Sequence, residues 1–224
     1  MNILVVGDVH GCFYTFEKLV NKHWNPDNEY LIQVGDLINK GRHSALCVKY
    51  ARKLEKKYPY QVFFLKGNHE ARFLKYQDKP GKSQTVDKTV KDFAKHDLNT
   101  KKTTVWLQNR PMKWETPYML ITHGGISERV KNPYSNTNQF GVLFNRSPLK
   151  DVGKLQVFGH VIQNDDKMVY SGKSNAWCID TGVWTGNHLS AIRLNYKGDV
   201  LDHIQVKAQK EDLTKRQLKK LGRL

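Results

Sequence analysis

Residues 61–73 read QVFFLKGNHEARF, and the fold turns on how this stretch is understood. Val62, Phe63, Phe64 and Leu65 form one continuous apolar run. Four residues are too few for a helix and fit a strand buried on both faces. The run breaks at Gly67 into an amide, an imidazole and a carboxylate in succession: Asn68, His69 and Glu70. A buried strand that ends this way places chemistry at the carboxyl edge of a sheet, where ligands collect in open α/β architectures.

The same event recurs on both sides of this stretch. Ile3-Leu4-Val5-Val6 stops at Gly7-Asp8-Val9-His10-Gly11, and Tyr30-Leu31-Ile32-Gln33-Val34 stops at Gly35-Asp36. Between them, Phe13, Phe16 and Val20 recur at helical spacing. Cys47, Ala51, Leu54 and Tyr58 do the same after Asn39-Lys40-Gly41. The order βαβαβ predicts parallel strands joined by right-handed crossovers. Further along, Tyr118-Met119-Leu120-Ile121-Thr122 ends in His123-Gly124-Gly125, and Leu155-Gln156-Val157-Phe158 ends in Gly159-His160. Ala176-Trp177-Cys178-Ile179 ends in Asp180-Thr181-Gly182, and residues 189–194 and 200–206 read as closing strands around the Lys197-Gly198-Asp199 turn.

Strands of one sheet lie about 4.8 Å apart, so groups that end successive strands can share a small volume. Asp8, His10, Asp36, Asn68, His123 and His160 are oxygen and nitrogen donors without sulfur. That set suits two divalent cations, Mn²⁺ foremost, with Fe, Zn²⁺, Ni²⁺ or Mg²⁺ as further candidates. The central Asp36 is the natural bridge between them. Two such ions polarise a shared water and clamp the attacking and leaving oxygens of an in-line displacement.

The 224 residues predict one α/β domain over 1–206, in which 71–115 forms a mainly helical insert, followed by a basic tail over 207–224. The formal charge is +16, a field that attracts polyanions and leaves nucleic acid open as a partner. Residues 71–115 carry eleven Lys or Arg against five acids, and the tail carries seven against two. No apolar run approaches the length of a membrane span, so the expected setting is cytoplasmic without a membrane partner. Three widely spaced cysteines, Cys12, Cys47 and Cys178, suit reduced thiols rather than a disulfide frame.

Taken together, GDVHG at 7–11, GNHE at 67–70, HGG at 123–125 and GH at 159–160 resemble the calcineurin-like metallophosphoesterases of the phosphoprotein phosphatase superfamily. The ending Ile179-Asp180-Thr181-Gly182, with Trp184 and Gly186, is similar to the bacterial and phage members and to the symmetrical diadenosine tetraphosphate hydrolases. The resemblance implies a four-layer sandwich of two mixed β-sheets flanked by helices. It implies that Asp8, His10 and Asp36 hold one metal, and that Asp36, Asn68, His123 and His160 hold the other. It casts His69 as the general acid and sets Asn68 and Arg146 on the phosphate, with Lys40 at the place of a phosphate-clamping arginine. The implied reaction is direct attack by metal-bound hydroxide.

One block departs from the family pattern. Where GDxVDRG is usual, this chain has Gly35-Asp36-Leu37-Ile38-Asn39-Lys40-Gly41. Asn39 replaces the acid that supports the catalytic histidine, which should then lose its proton more readily. Lys40 replaces a bidentate arginine by a point charge, and Arg42 stands near enough to compensate. The leading expectation is hydrolysis of phosphate monoesters of the serine/threonine protein phosphatase type. Asn39-Lys40, which resembles the ApaH-like phosphatases, and the basic surface raise the alternative of dinucleoside polyphosphates or capped RNA 5′ ends. A third reading is a non-catalytic, basic RNA- or protein-binding module on the same scaffold.

Overall fold

The computed structural model describes residues 1–163 and 166–223. Strands β1 (Asn2–Val6), β2 (Glu29–Gln33) and β3 (Val62–Phe64) pair in parallel. They are joined by helices α1 (Phe13–His23) and α2 (Ser44–Lys57). Helices α3 (Asn68–Tyr76), α4 (Gln84–Lys95) and α5 (Thr100–Gln108) follow. The second sheet is built from β4 (Lys113–Glu115), β5 (Met119–Thr122), β6 (Leu155–Phe158), β7 (Val169–Ser171) and β8 (Ala176–Cys178). Strands β9 (His188–Leu194) and β10 (Val200–Lys207) then return to the first sheet, and the short helix α6 (Lys215–Lys220) follows. The two five-stranded sheets have the orders β10-β9-β1-β2-β3 and β4-β5-β6-β8-β7. Both are mixed: in the first, β1, β2 and β3 are parallel and β9 and β10 antiparallel on one side; in the second, a parallel centre β5-β6-β8 has antiparallel edges.

Alternation along β1 assigns its two faces. Ile3 and Val5 join Ile32 and Val34 against Met119, Ile121 and Val157, forming the core between the sheets. Leu4 and Val6 point the other way, onto Phe16 and Leu19 of α1 and Cys47, Val48 and Ala51 of α2. The expected sandwich of two mixed sheets is therefore present, with its helices on the outer face of the first sheet. The outer face of the second sheet is covered by the connection 124–154. There Ile126, Val130 and Val142 pack on Leu120, and Gln156 ties the connection down through Ile126 N–H and the Lys150 carbonyl.

The segment set apart in the sequence as 71–115 shares the main core. Phe73, Val86, Phe93 and Leu107 belong to the same buried cluster as Leu31 and Phe64. Asp92 of α4 also accepts the Ala45 N–H, 2.7 Å, at the start of α2. The basic tail is likewise tied in. Asp212 is buried and accepts from Tyr14 N–H, Thr15 N–H and Thr15 Oγ1 at 3.1, 2.8 and 2.6 Å. It caps the first turn of α1, whose own preceding residue, Cys12, provides no side-chain cap. All three cysteines are free and buried, as the spacing predicts. No helix among the described residues is long and apolar enough to cross a membrane.

Candidate metal centre

Strands β1, β2 and β3 of one sheet and β5 and β6 of the other end at the same place, so their following residues meet between the sheets. Asp8, His10, Asp36, Asn68, His69, His123 and His160 are all buried there. Two groups of metal-ligating atoms form around Asp36: His10, Asp36 and His69 in one, Asp36, His123 and His160 in the other. Asp36 Oδ2 lies 3.4 Å from His10 Nε2, and Asp36 Oδ1 lies 3.4 Å from His123 Nε2. Asn68 Oδ1 stands 3.0 Å from both His123 Nε2 and His160 Nδ1. Asp8 Oδ2 is 3.9 Å from His10 Nε2, and both its oxygens accept the His160 N–H.

Two backbone carbonyls set the imidazoles for ligation. His123 Nδ1 donates to Val34 O at 3.1 Å, and His10 Nδ1 donates to Ile38 O at 3.3 Å. With the proton on Nδ1, each Nε2 turns a lone pair toward Asp36. His69 Nδ1 and His160 Nε2 are buried without a hydrogen-bond partner. Burial pushes the Asp36 carboxyl up to about 7, and burial with the charges of Asp180 and Asp36 pushes Asp8 well up. Burial drives His123 down to about 3 and His160 to about 2. Crowded carboxylates that resist ionising, beside neutral imidazoles with lone pairs turned inward, fit divalent cations.

The loops are held by groups outside the set of six donors. Glu70 is buried and accepts from Gly67, Asp36 and Leu37 N–H at 2.8, 2.8 and 3.0 Å. It locks the β2 and β3 loops together. Asn68 and His69 open α3 rather than continuing a loop, and His69 N–H donates to Asp36 Oδ1 at 2.8 Å. Asp180, after β8, is a further buried carboxylate whose charge raises both Asp8 and Asp36. It follows a strand as the donors do, which was its signal. His10, Asp36, Asn39, Lys40 and His160 all have positive φ, an unusual concentration of left-handed backbone at one site.

The remaining phosphate candidates part company. Lys40 Nζ lies 3.2 Å from His10 Nε2 and 4.7 Å from the Trp184 ring centroid, so it stands over the centre. Arg146 is exposed, yet near enough for its charge to help depress His123 and His160. Arg42 faces elsewhere: its guanidinium donates to the carbonyls of Glu211 and Leu213 at 3.2 and 2.9 Å. The tail occupies it, which corrects the expectation that it compensates for Lys40.

Asn39 is tied to the main chain of the site and to α4. Its Nδ2 donates to the His69 backbone carbonyl at 3.0 Å, and its Oδ1 accepts from Thr89 Oγ1 at 2.6 Å. It supports the His69 main chain and leaves the ring alone. His69 is pushed down to about 2 by burial first and then by the charges of Lys40 and Arg72. Asn39→Asp should therefore fail to strengthen His69. It replaces a buried donor by an acceptor facing a carbonyl, and we expect a loss of about 2–3 kcal/mol in urea unfolding with no gain in turnover. Unchanged stability with raised turnover would contradict this assignment.

Facing mixed sheets that bring buried carboxylates and imidazoles to one point define the scaffold of a metal-dependent phosphoesterase. The calcineurin-like phosphoesterase family pattern matches residues 1–204, and the chain belongs to that family. It is 28% identical over 130 residues to the symmetrical bis(5′-nucleosyl)-tetraphosphatase of Haemophilus ducreyi, a match spanning 57% of this chain and 46% of that protein. The chain thus spans about half the length of the curated relatives it matches. Among solved structures it resembles a candidate diadenosine tetraphosphatase, with 21% identity, coverage of 93% and 94% of the two chains and a TM-score of 0.65. It also resembles a Saccharomyces cerevisiae protein serine/threonine phosphatase, with 16% identity, coverage of 94% and 81% and a TM-score of 0.67. At these identities the structural likenesses concern the fold.

Proposed function

We propose that this protein is a two-metal phosphoesterase that hydrolyses dinucleoside polyphosphates. The observation that carries the reaction class is Asp36, buried and shared by two groups of converging donors. The curated relatives favour the dinucleotide reading over the phosphoprotein reading that led on sequence grounds. Asp8, His10 and Asp36 would hold one cation, and Asp36, Asn68, His123 and His160 the other, with His69 beside the first group. When bound, the cations supply Lewis-acid polarisation of a phosphoryl oxygen and a water acidic enough to react at neutral pH.

The chain's own groups do the rest. Lys40, over the centre, and Arg146, at its edge, supply positive charge to the non-bridging phosphoryl oxygens. Stacking on Trp184 limits where the flexible Lys40 stem places its charge. Burial first, and then the charges of Lys40 and Arg72, hold the proton affinity of His69 down, and the negative charge of a bound phosphate opposes those fields. His69 is then placed to hand a proton to the departing oxygen.

A substrate panel with Mn²⁺ tests this reading: diadenosine tetraphosphate, a phosphoserine peptide and p-nitrophenyl phosphate. The expected order puts kcat/KM for the dinucleotide above that for the peptide by at least about tenfold, or ~1.4 kcal/mol in transition-state stabilisation. The reverse order would restore the protein-phosphatase reading. Inactivity on all three would favour a binding module.

A further inference from the structure

Beyond Arg146 the surface opens into a cleft of about 500 Å³ lined by Arg129, Phe140, Phe144, Arg146, Ser147 and Pro148. It contains two guanidiniums and no acid, and among the described residues neither arginine has a carboxylate partner. Arg129 lies 5.8 Å from the centroid of the Phe140 ring. That ring packs on the cluster of Leu120, Ile126, Val130 and Val142, which makes it a fixed platform.

The two walls are cross-linked by a hydrogen-bonded chain that begins beside His123. Asn145 Nδ2 donates to Gly124 O at 3.2 Å, and Asn145 Oδ1 accepts from Ser147 Oγ at 2.7 Å. Ser147 Oγ pairs with Ser127 Oγ at 2.7 Å, and Ser127 Oγ accepts the Arg129 N–H at 3.0 Å. Asn145 and Ser127 are buried. Arg129 is thus anchored at its backbone to the loop that carries His123, while Arg146 sits between the centre and the cleft.

We infer that this cleft is the subsite for the departing half of a nucleoside polyphosphate, with Arg129 on its outer phosphate and Phe140 against its base. The inference rests on the phosphoesterase reading above and extends it to substrate selection. A cleft with two unpaired guanidiniums and a supported aromatic face suits a ligand that carries several phosphates and a π-system. A phosphoserine side chain offers neither the second phosphate nor the base. In the reaction a water oxygen bonds to the attacked phosphorus, and the bond from that phosphorus to the bridging oxygen breaks. The electron pair leaves on the terminal phosphate of the departing nucleotide. The departing oxygen takes its proton from His69, which regains one from solvent, and one proton of the attacking water is released to solvent.

The test uses Arg129→Ala, Arg129→Lys and Phe140→Leu, the last keeping apolar bulk against the core. Each variant of the 224-residue chain is assayed with Mn²⁺ on diadenosine tetraphosphate and on p-nitrophenyl phosphate, which has no second phosphate. Arg129→Ala should raise KM for the dinucleotide about tenfold, with kcat changed less than threefold. Arg129→Lys should recover part of that loss, as a point charge in place of a fork. Phe140→Leu should raise KM about fivefold. Aryl phosphate kinetics should move less than twofold in all three. Equal effects on both substrates, or none on the dinucleotide, would overturn the subsite. Wild-type activity on the aryl phosphate without activity on the dinucleotide would also overturn it while leaving the phosphoesterase reading intact. Wild-type inactivity on both would remove the reading beneath it.

Discussion

Asp36→Asn should abolish turnover, with kcat falling on the order of 10³-fold or more on every substrate, about 4 kcal/mol of transition-state stabilisation. The side chain keeps its shape, and one oxygen can still accept the His69 N–H. What is lost is the charge and one of the two oxygens, which face different imidazoles. No other donor belongs to both groups, so no neighbour can take over. The rise in melting temperature on adding Mn²⁺ to chelator-treated protein should shrink with it.

Metal-free protein provides the control against simple unfolding. Burial raises Asp36 to about 7, above the ordinary carboxyl value near 4, so the native state binds that proton more tightly than the unfolded chain does. Its effect on stability is absent below about pH 4, grows unfavourable as pH rises, and is complete above about pH 7. The lowered imidazoles His10, His69, His123 and His160 work in the opposite sense over the acid range, so wild type alone gives a mixed profile. The difference between variant and wild type isolates Asp36. With chelator present, Asp36→Asn should gain melting temperature relative to wild type between pH 5 and pH 8. A relative loss over that interval would show that Asp36 is held in the native state by something other than metal.

The part of this site that was legible in the sequence is the part governed by strand ends. Apolar runs stopping at glycine followed by a donor identified six residues that meet within hydrogen-bonding range, because sheet geometry turns a repeated local pattern into convergence. The sequence could not show where groups from unrelated elements come together. Asp92 and Asp212 cap helices begun 48 and 199 residues earlier in the chain, at Ser44 and Phe13. Nothing local marks either acid as a cap. Asn39 and Arg42 were read from their neighbours in the motif, yet Thr89 and the tail carbonyls decide where they point. Strands β4 and β7 are three-residue edges with largely exposed side chains, too short for alternation to register. Helix α3 was hidden because its first turn is made of the polar donors themselves.

Glycine makes the convergence possible, and Gly67→Ala should undo it. The backbone there, with φ −104° and ψ 178°, is one that alanine adopts freely, so no conformational strain enters. The obstacle is space: a Cβ would fall against Asp36 Oδ1 and the Asp36 backbone nitrogen, well inside contact distance of both. Neither can retreat, since Glu70 holds the nitrogen and His69 N–H holds the oxygen. The β3 loop must therefore shift outward, taking Asn68 and His69 with it. A displacement of about 1 Å is enough to cost on the order of 10²-fold in rate. Crowding against main chain should also lower stability by about 3 kcal/mol. Gly81→Ala sets the scale from the other side. At φ +82° with nothing within 4 Å of a new Cβ, it carries backbone strain and no clash. It should cost about 1–2 kcal/mol and leave turnover unchanged. Denaturant midpoints and dinucleotide kinetics on the two variants separate the terms. If Gly67→Ala loses no more activity than Gly81→Ala, the close approach of the β3 loop to Asp36 is not what positions the donors.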